Sequence, residues 1–290
     1  MKFKNNINGI IIIDKSKGIT SRDVVDKVQK KLNTKAGHTG TLDPIATGVL
    51  VITLGKATKL NEILTSTNKT YEAEAILGIE TDSLDITGNI INQKDTIFSK
   101  EKIIDCLNHF KGSYYQEVPK YSAVKIKGKK LYEYAREDID IKLPKRLVHI
   151  HDINLLDYQV DDDKTKIKFN VSVSKGTYIR SLIRDIGAYL NTYATMSNLR
   201  RTKQGDFGVE KAHTLEEISK QDVIPITEAL NIQKIKVKDQ EKFKIINGQK
   251  LNYDYNEVLF LDQNNNPLAI YKKKGNALCV WKMLYDNENK

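Results

Sequence analysis

The sequence predicts an α+β protein: a mixed, mainly antiparallel sheet flanked by helices, followed by a small C-terminal β-barrel. Three patterns carry that expectation. Apolar runs such as Val49 to Leu54, and alternating ones such as Lys69 to Leu77, read as strands. Stretches with apolar residues at helical spacing, notably Ser21 to Leu32, Ser99 to Phe110 and Ser174 to Leu190, read as amphipathic helices. After residue 230 the chain changes to short strands around one helix, which places the expected domains at 1–230 and 231–290.

Gly9 to Asp14 is an apolar strand, and Asp14-Lys15-Ser16-Lys17-Gly18 is a turn. The helix over Ser21 to Leu32 presents Val24, Val25, Val28 and Leu32 on one face, with Thr20 and Asp23 spaced as a capping box. Gly37 to Leu50 holds too many glycines and polar residues for a core element and reads as a constrained loop. A short helix is expected from about Thr58 to Leu64. From Lys69 to Leu77, Tyr71, Ala73, Ala75 and Leu77 face one way and Glu72 and Glu74 the other, a strand with one wet side. Thr81 to Asp95, with Asp82 and Asp85, reads as an exposed loop. The helix from Ser99 to Phe110 is expected to bury Ile103, Ile104, Leu107 and Phe110, with Gly112 beyond its end.

Leu147 to Leu156 and Lys166 to Ser174 are strands joined by a turn at Asp161-Asp162-Asp163. Ser174 opens a helix striped by Ile179, Leu182, Ile183, Ile186 and Leu190, with Tyr178 and Arg180 off the stripe in its first turn. Thr214-Leu215-Glu216-Glu217 has the capping-box form and begins a short helical linker to about Leu230. The barrel is expected from a strand at Ile235, a helix at Gln240 to Ile246 ended by Gly248, and strands near Val258 to Leu261, Pro267 to Tyr271 and Ala277 to Leu284.

The chain has 290 residues, a net charge of +10 and a pI near 9.2. That balance suits a polyanionic partner, nucleic acid or an acidic membrane surface, although solubility alone would also be served by it. Lys125, Lys127, Lys129, Lys130 and Arg136, interleaved with Tyr132 and Tyr134, form either a solvated face or a phosphate-contacting one. Cys106 and Cys279 are far apart and are expected as buried free thiols of a reducing compartment. Ile10 to Ile13 is too short for a signal sequence, and no segment approaches the roughly 20 apolar residues of a membrane span. A cytoplasmic protein is the expectation. His149 and His151 share a strand face without further ligands, so no metal is expected.

Asp43 stands in the middle of the glycine-rich loop, locked by Pro44, which biases the residue before it away from helical geometry. An Asp-Pro of this kind ordinarily just accepts hydrogen bonds from its own turn. The functional alternative is a reactive carboxylate presented by a stiff loop ahead of a core strand. Nucleotide binding through Gly55-Lys56 is excluded: Leu50 stands where a P-loop needs glycine, and Ala57 where it needs Ser or Thr. Arg180 opens a helix, where the dipole disfavours a cation, and so points to a specific anionic partner.

The string Gly37-His38-Thr39-Gly40-Thr41-Leu42-Asp43-Pro44-Ile45-Ala46-Thr47-Gly48-Val49-Leu50 resembles the signature G-H-x-G-x-L-D-P-x-A-T-G-x-L of the bacterial TruB family of tRNA pseudouridine synthases. Lys69-Thr70-Tyr71, Gly176-Thr177-Tyr178-Ile179-Arg180 and Leu199-Arg200-Arg201-Thr202 match its further motifs. Val118-Pro119 departs from the usual pair of prolines before Tyr121-Ser122-Ala123, which leaves that bend less constrained. The resemblance covers Gly9 to Phe207 well; the tail resembles a PUA domain mainly by position.

The resemblance implies the pseudouridine-synthase fold and isomerisation of uridine 55 in the TΨC stem-loop of tRNA. No cofactor is implied, because the reaction changes no redox state. It gives Asp43 the nucleophile's role, Arg180 that of its aiming partner, and Tyr71 a place against the flipped uracil and near the C5 proton. Tyr178 and Leu199 would close the pocket walls, His38 would fill the gap left in the RNA stack, and Lys59 would contact substrate. A monomer without an obligate protein partner is expected. The competing reading is a non-catalytic RNA-binding or tRNA-folding protein that uses the same groove.

Overall fold

The computed structural model of the chain describes residues 5, 7–161 and 164–285. β1 (Gly9–Lys15) leads into α1 (Ser21–Leu32). The expected capping box forms there: Asp23 N donates to Thr20 Oγ1 at 3.0 Å, and Thr20 N to the Asp23 carboxylate at 2.8 Å. β2 (Ala36–His38) and β3 (Thr47–Leu54) frame the Asp43 loop. A 3-10 turn over Gly55–Leu60 and then α2 (Asn61–Thr65) take the place of the helix expected at Thr58 to Leu64. β4 (Lys69–Leu77) alternates buried and half-buried residues as its sequence does. There follow the hairpin of β5 (Ile79–Thr81) and β6 (Ile90–Gln93), α3 (Lys100–His109), β7 (Gly112–Glu117) and the small hairpin of β8 (Lys125–Ile126) and β9 (Lys129–Lys130). Next come α4 (Leu131–Arg136), β10 (Lys145–Asp161), β11 (Lys164–Val173), α5 (Ile179–Tyr189), β12 (Ala194–Gln204), β13 (Phe207–Gly208), β14 (Ile224–Pro225) and α6 (Ile226–Ala229). The C-terminal unit holds β15 (Gln233–Lys236), α7 (Asp239–Ile246), β16 (Glu257–Leu261), β17 (Pro267–Lys274) and β18 (Ala277–Met283).

One ten-stranded sheet organises the first unit, in the order β14-β1-β3-β12-β4-β11-β10-β7, with β2 on β3 and β13 on β12. Its one parallel ladder sets β12 beside β3, Arg200 opposite Thr47 and Arg201 opposite Gly48. The α+β class and the mixed, mainly antiparallel sheet are therefore as predicted. Helices α1, α3 and α5 cover one face, against Ala73, Ala75, Leu77, Phe169 and Val171. On the other face Ile10, Ile12, Val49 and Val51 meet Leu60 and Leu64, and then Leu259, Leu261 and Ile270 of the C-terminal sheet. β1 and β3 are thus covered on both sides, which is why their sequences are continuous apolar runs; β4 keeps a wet side and alternates.

Several expectations are corrected. Thr81 to Asp95 is exposed over most of its length, as expected, but its ends pair as the β5–β6 hairpin and two of its residues are not solvated: Thr81 and Asp85 are buried, Thr81 Oγ1 donates to Asp85 O at 2.8 Å, and Thr87 N donates to Asp85 Oδ1 at 3.0 Å. At Thr81 and Asp85 the polar groups satisfy one another instead of water. On α3 the buried face is Ile103, Cys106 and Leu107, with Ile104 39% exposed; Cys106 serves there as a small hydrophobe. Cys279 is half-buried, not buried. α5 begins at Ile179 and not at Ser174, because Gly176 takes φ +84°. Thr214 and Glu217 make the capping hydrogen bonds, at 3.2 and 2.8 Å, but around a turn and not a helix. The C-terminal strands form an open sheet in the order β15-β16-β17-β18, and among the described residues no ladder joins its ends into a barrel. Asp162 and Asp163 of the expected turn lie outside the described residues.

Candidate active site

The loop between β2 and β3 is clamped from three sides. Ser21, the first residue of α1, accepts from Leu42 N at 2.8 Å and donates to Leu42 O at 3.0 Å. Lys15, buried at the end of β1, donates through Nζ to Ala46 O at 2.7 Å and Ser16 O at 3.0 Å. Burial brings the Lys15 ammonium down to about 8, an effect that the Asp43 charge opposes. Arg201, also buried, donates from Nε to Val49 O at 2.7 Å and from Nη2 to Gly40 O at 2.9 Å. The turn itself closes with Ala46 N donating to Asp43 O at 3.0 Å. Asp43 is therefore held by backbone contacts on both sides of it.

Gly48 shows how tight the clamp is. Its φ is +98°, and a Cβ there would lie 2.2 Å from Arg201 O across the parallel ladder. Gly48→Ala is expected to cost about 3 kcal/mol or more, from clash and backbone strain together. A lowered denaturant midpoint at unchanged slope checks this.

α5 delivers the partner of Asp43. Arg180 sits in the first turn of α5 and is 6% exposed, and its Nε stands 3.0 Å from Asp43 Oδ2. Its other nitrogens are fixed too: Nη1 donates to Ser83 O at 2.9 Å and lies 3.8 Å from Asp85 Oδ2, and Nη2 donates to Tyr121 O at 3.0 Å. A guanidinium bonded on every side can aim one carboxylate. Asp43 keeps 37% of its side chain exposed, so the pair opens outward. It opens into a cleft of about 760 Å³.

The cleft brings together Asp43, Tyr71, Tyr178, Arg180 and Leu199. Tyr71 and Leu199 are nearly buried and give it apolar walls. Burial raises the Tyr178 phenol, with the nearby Arg146 charge opposing. Lys69 also lines it, donating to Thr65 O at 2.7 Å and Thr67 O at 2.6 Å; burial brings its ammonium down to about 8, assisted by Arg201 and Lys175. Two of the expected site residues lie elsewhere. His38 is half-buried on β2, outside the cleft lining, and burial lowers its pKa, with Arg201 next in effect. Lys59 is exposed on the 3-10 turn after β3. Lys15, Asp85 and Arg201 were not singled out from the sequence as site residues. The available signals were a charged residue closing an apolar strand, at Lys15, and the motif membership of Arg201.

The first part of the chain, residues 27–179, matches the TruB family pseudouridylate synthase N-terminal domain, and residues 180–229 match the tRNA pseudouridylate synthase B C-terminal domain. The chain belongs to the TruB family. It is 43% identical to tRNA pseudouridine synthase B of Caldicellulosiruptor saccharolyticus, over 93% of this chain and 96% of that one. It is 40% identical to tRNA pseudouridine synthase B of Bacillus pumilus, over 95% and 93%. Among solved structures, a Cbf5-Nop10-Gar1 complex superimposes with a TM-score of 0.73 at 27% identity, covering 99% of this chain and 88% of that one. An H/ACA RNP bound to a substrate RNA containing 2′-deoxyuridine gives 0.72 at 26%, covering 98% and 87%. Members of the TruB family convert uridine in tRNA to pseudouridine, and this chain is an enzyme of that activity. Among the described residues no helix is long and apolar enough to cross a membrane.

Proposed function

We propose that this enzyme acts on uridine 55 of the TΨC stem-loop, with Asp43 as its nucleophile. The observation that carries the reading is the 3.0 Å contact of Asp43 with Arg180 at the mouth of an apolar-walled cleft. The reaction breaks the bond from uracil N1 to C1′ and makes one from C5 to C1′; the C5 proton is lost and N1 gains one. It needs a base taken out of its stack, a nucleophile and a shielded space in which the freed ring can turn. Tyr71 and Leu199 provide apolar surface for the ring, and Tyr71 offers a phenol near the proton to be moved. His38, at the edge of the same loop, is assigned the space vacated in the RNA stack, and Lys59 a phosphate contact outside the cleft. No redox step occurs, so no cofactor has a role.

The domain boundary is assigned at residue 230. Beyond it Val237, Ile245, Val258, Phe260, Leu268, Tyr271 and Leu278 build a separate core, which supports an RNA-binding, PUA-like unit over 231–290. Mapping pseudouridine on a tRNA transcript incubated with the protein tests the reading. Modification at position 55 alone is expected; modification at other positions and not there would overturn it.

A further inference from the structure

We infer that the Ser122 hydroxyl binds the substrate, donating a hydrogen bond to a carbonyl of the extruded uracil; the inference rests on the reading of the cleft given above. Ser122 lines the cleft and is 6% exposed. Its Oγ is buried, and no hydrogen bond of ordinary geometry reaches it. The other buried orphan atoms among the described residues belong to His38, Asn170 and Gln204, none of which lines the cleft. A buried polar atom left unpaired is destabilising, so its persistence calls for a reason. A ligand that completes it in the bound state is such a reason.

The backbone of Ser122 is already committed. Its N–H donates to Lys120 O at 3.0 Å, and its carbonyl accepts from Tyr132 N at 3.1 Å. Tyr121, one residue earlier, accepts from Arg180. The hydroxyl is thus carried on a fixed strut that also holds the partner of Asp43. The Tyr178 phenol is close enough for the two hydroxyls to influence one another, yet no hydrogen bond of ordinary geometry joins them. Tyr178 forms the half-buried wall beside it. For Oγ to meet the base, that ring has to turn on substrate binding.

Uracil chemistry suits this position. When the freed ring turns about its N3–C6 axis, N1 and C5 change places, and so do the two carbonyls. A donor that meets one carbonyl before the turn meets the other after it. A hydroxyl, free to rotate about its Cβ–Oγ bond, follows small shifts between the two states. One residue can therefore hold the ring on both sides of the isomerisation without changing its role.

Ser122→Ala tests this on tRNA transcripts. The expected result is a fall of about fivefold in kcat/KM, the size of one neutral hydrogen bond. The melting temperature should stay level or rise, because an unpaired buried group has been removed. A second readout uses transcripts with 4-thiouridine at the target position, since sulfur is a poor acceptor. The sulfur penalty should be larger for the wild-type protein than for Ser122→Ala. An unaltered kcat/KM overturns the inference. So does a lowered melting temperature with equal sulfur penalties, which would make Ser122 structural. A wild-type protein that left uridine 55 unmodified would overturn the underlying reading itself.

Discussion

Asp43→Asn is expected to abolish pseudouridine formation while leaving tRNA binding and folding in place. The amide has nearly the shape of the carboxylate, and its oxygen can still accept from Arg180 Nε, now 3.0 Å away. The loop should hold its path, because its contacts to Ser21, Lys15 and Arg201 run through the backbone and do not use the Asp43 side chain. What is lost is the negative charge and with it the nucleophile. Removal of a nucleophile commonly costs 10³-fold or more. Pseudouridine counted on a transcript at saturating enzyme should therefore fall below detection, with the dissociation constant changed less than about threefold. Turnover by the Asn protein would transfer the chemistry to another group.

What the sequence made legible follows from how far apart the cooperating residues are in the chain. The Asp43 loop, β4 with Tyr71 and the first turn of α5 with Arg180 each lie in a contiguous string, and local patterning found all three, although it opened α5 five residues early, at Ser174. Asp85 was not legible. It sits among Ser, Thr and Asp, a composition shared with any solvated turn, and only the arrival of Arg180, 95 positions later, makes it a buried counter-charge. Arg201 was recognisable as part of a motif, but not as a brace, because its acceptors Gly40 and Val49 belong to the neighbouring strand and loop. Ile104 and Cys106 illustrate a different limit. Either could join the apolar stripe of α3, and the sheet it packs on, not the helix period, decides between them. The C-terminal strands were placed close to their positions, but whether they close into a barrel depends on a pairing between chain-distant edges that no local pattern encodes.

Arg180→Ala should injure both stability and activity, and Arg180→Lys should separate the two. Arg180 and Asp85 each have 7% of the side chain exposed, so deleting the guanidinium leaves a buried carboxylate without its counter-ion. Such a loss typically costs about 3–5 kcal/mol. The carbonyls of Ser83 and Tyr121 would lose their donors as well. Lysine restores a positive charge, so most of the stability should return. It cannot restore the geometry: one ammonium has no planar fork with which to serve two carbonyls and two carboxylates at once. Asp43, with more than a third of its side chain open to solvent, is the partner most easily released. Activity of the Lys protein, measured well below its melting temperature, should remain down by about 10²-fold, and the fall should be in kcat more than in KM. If Arg180→Lys regained both stability and turnover, a positive charge anywhere near Asp43 would suffice, and the argument that a fixed guanidinium aims the carboxylate would fail.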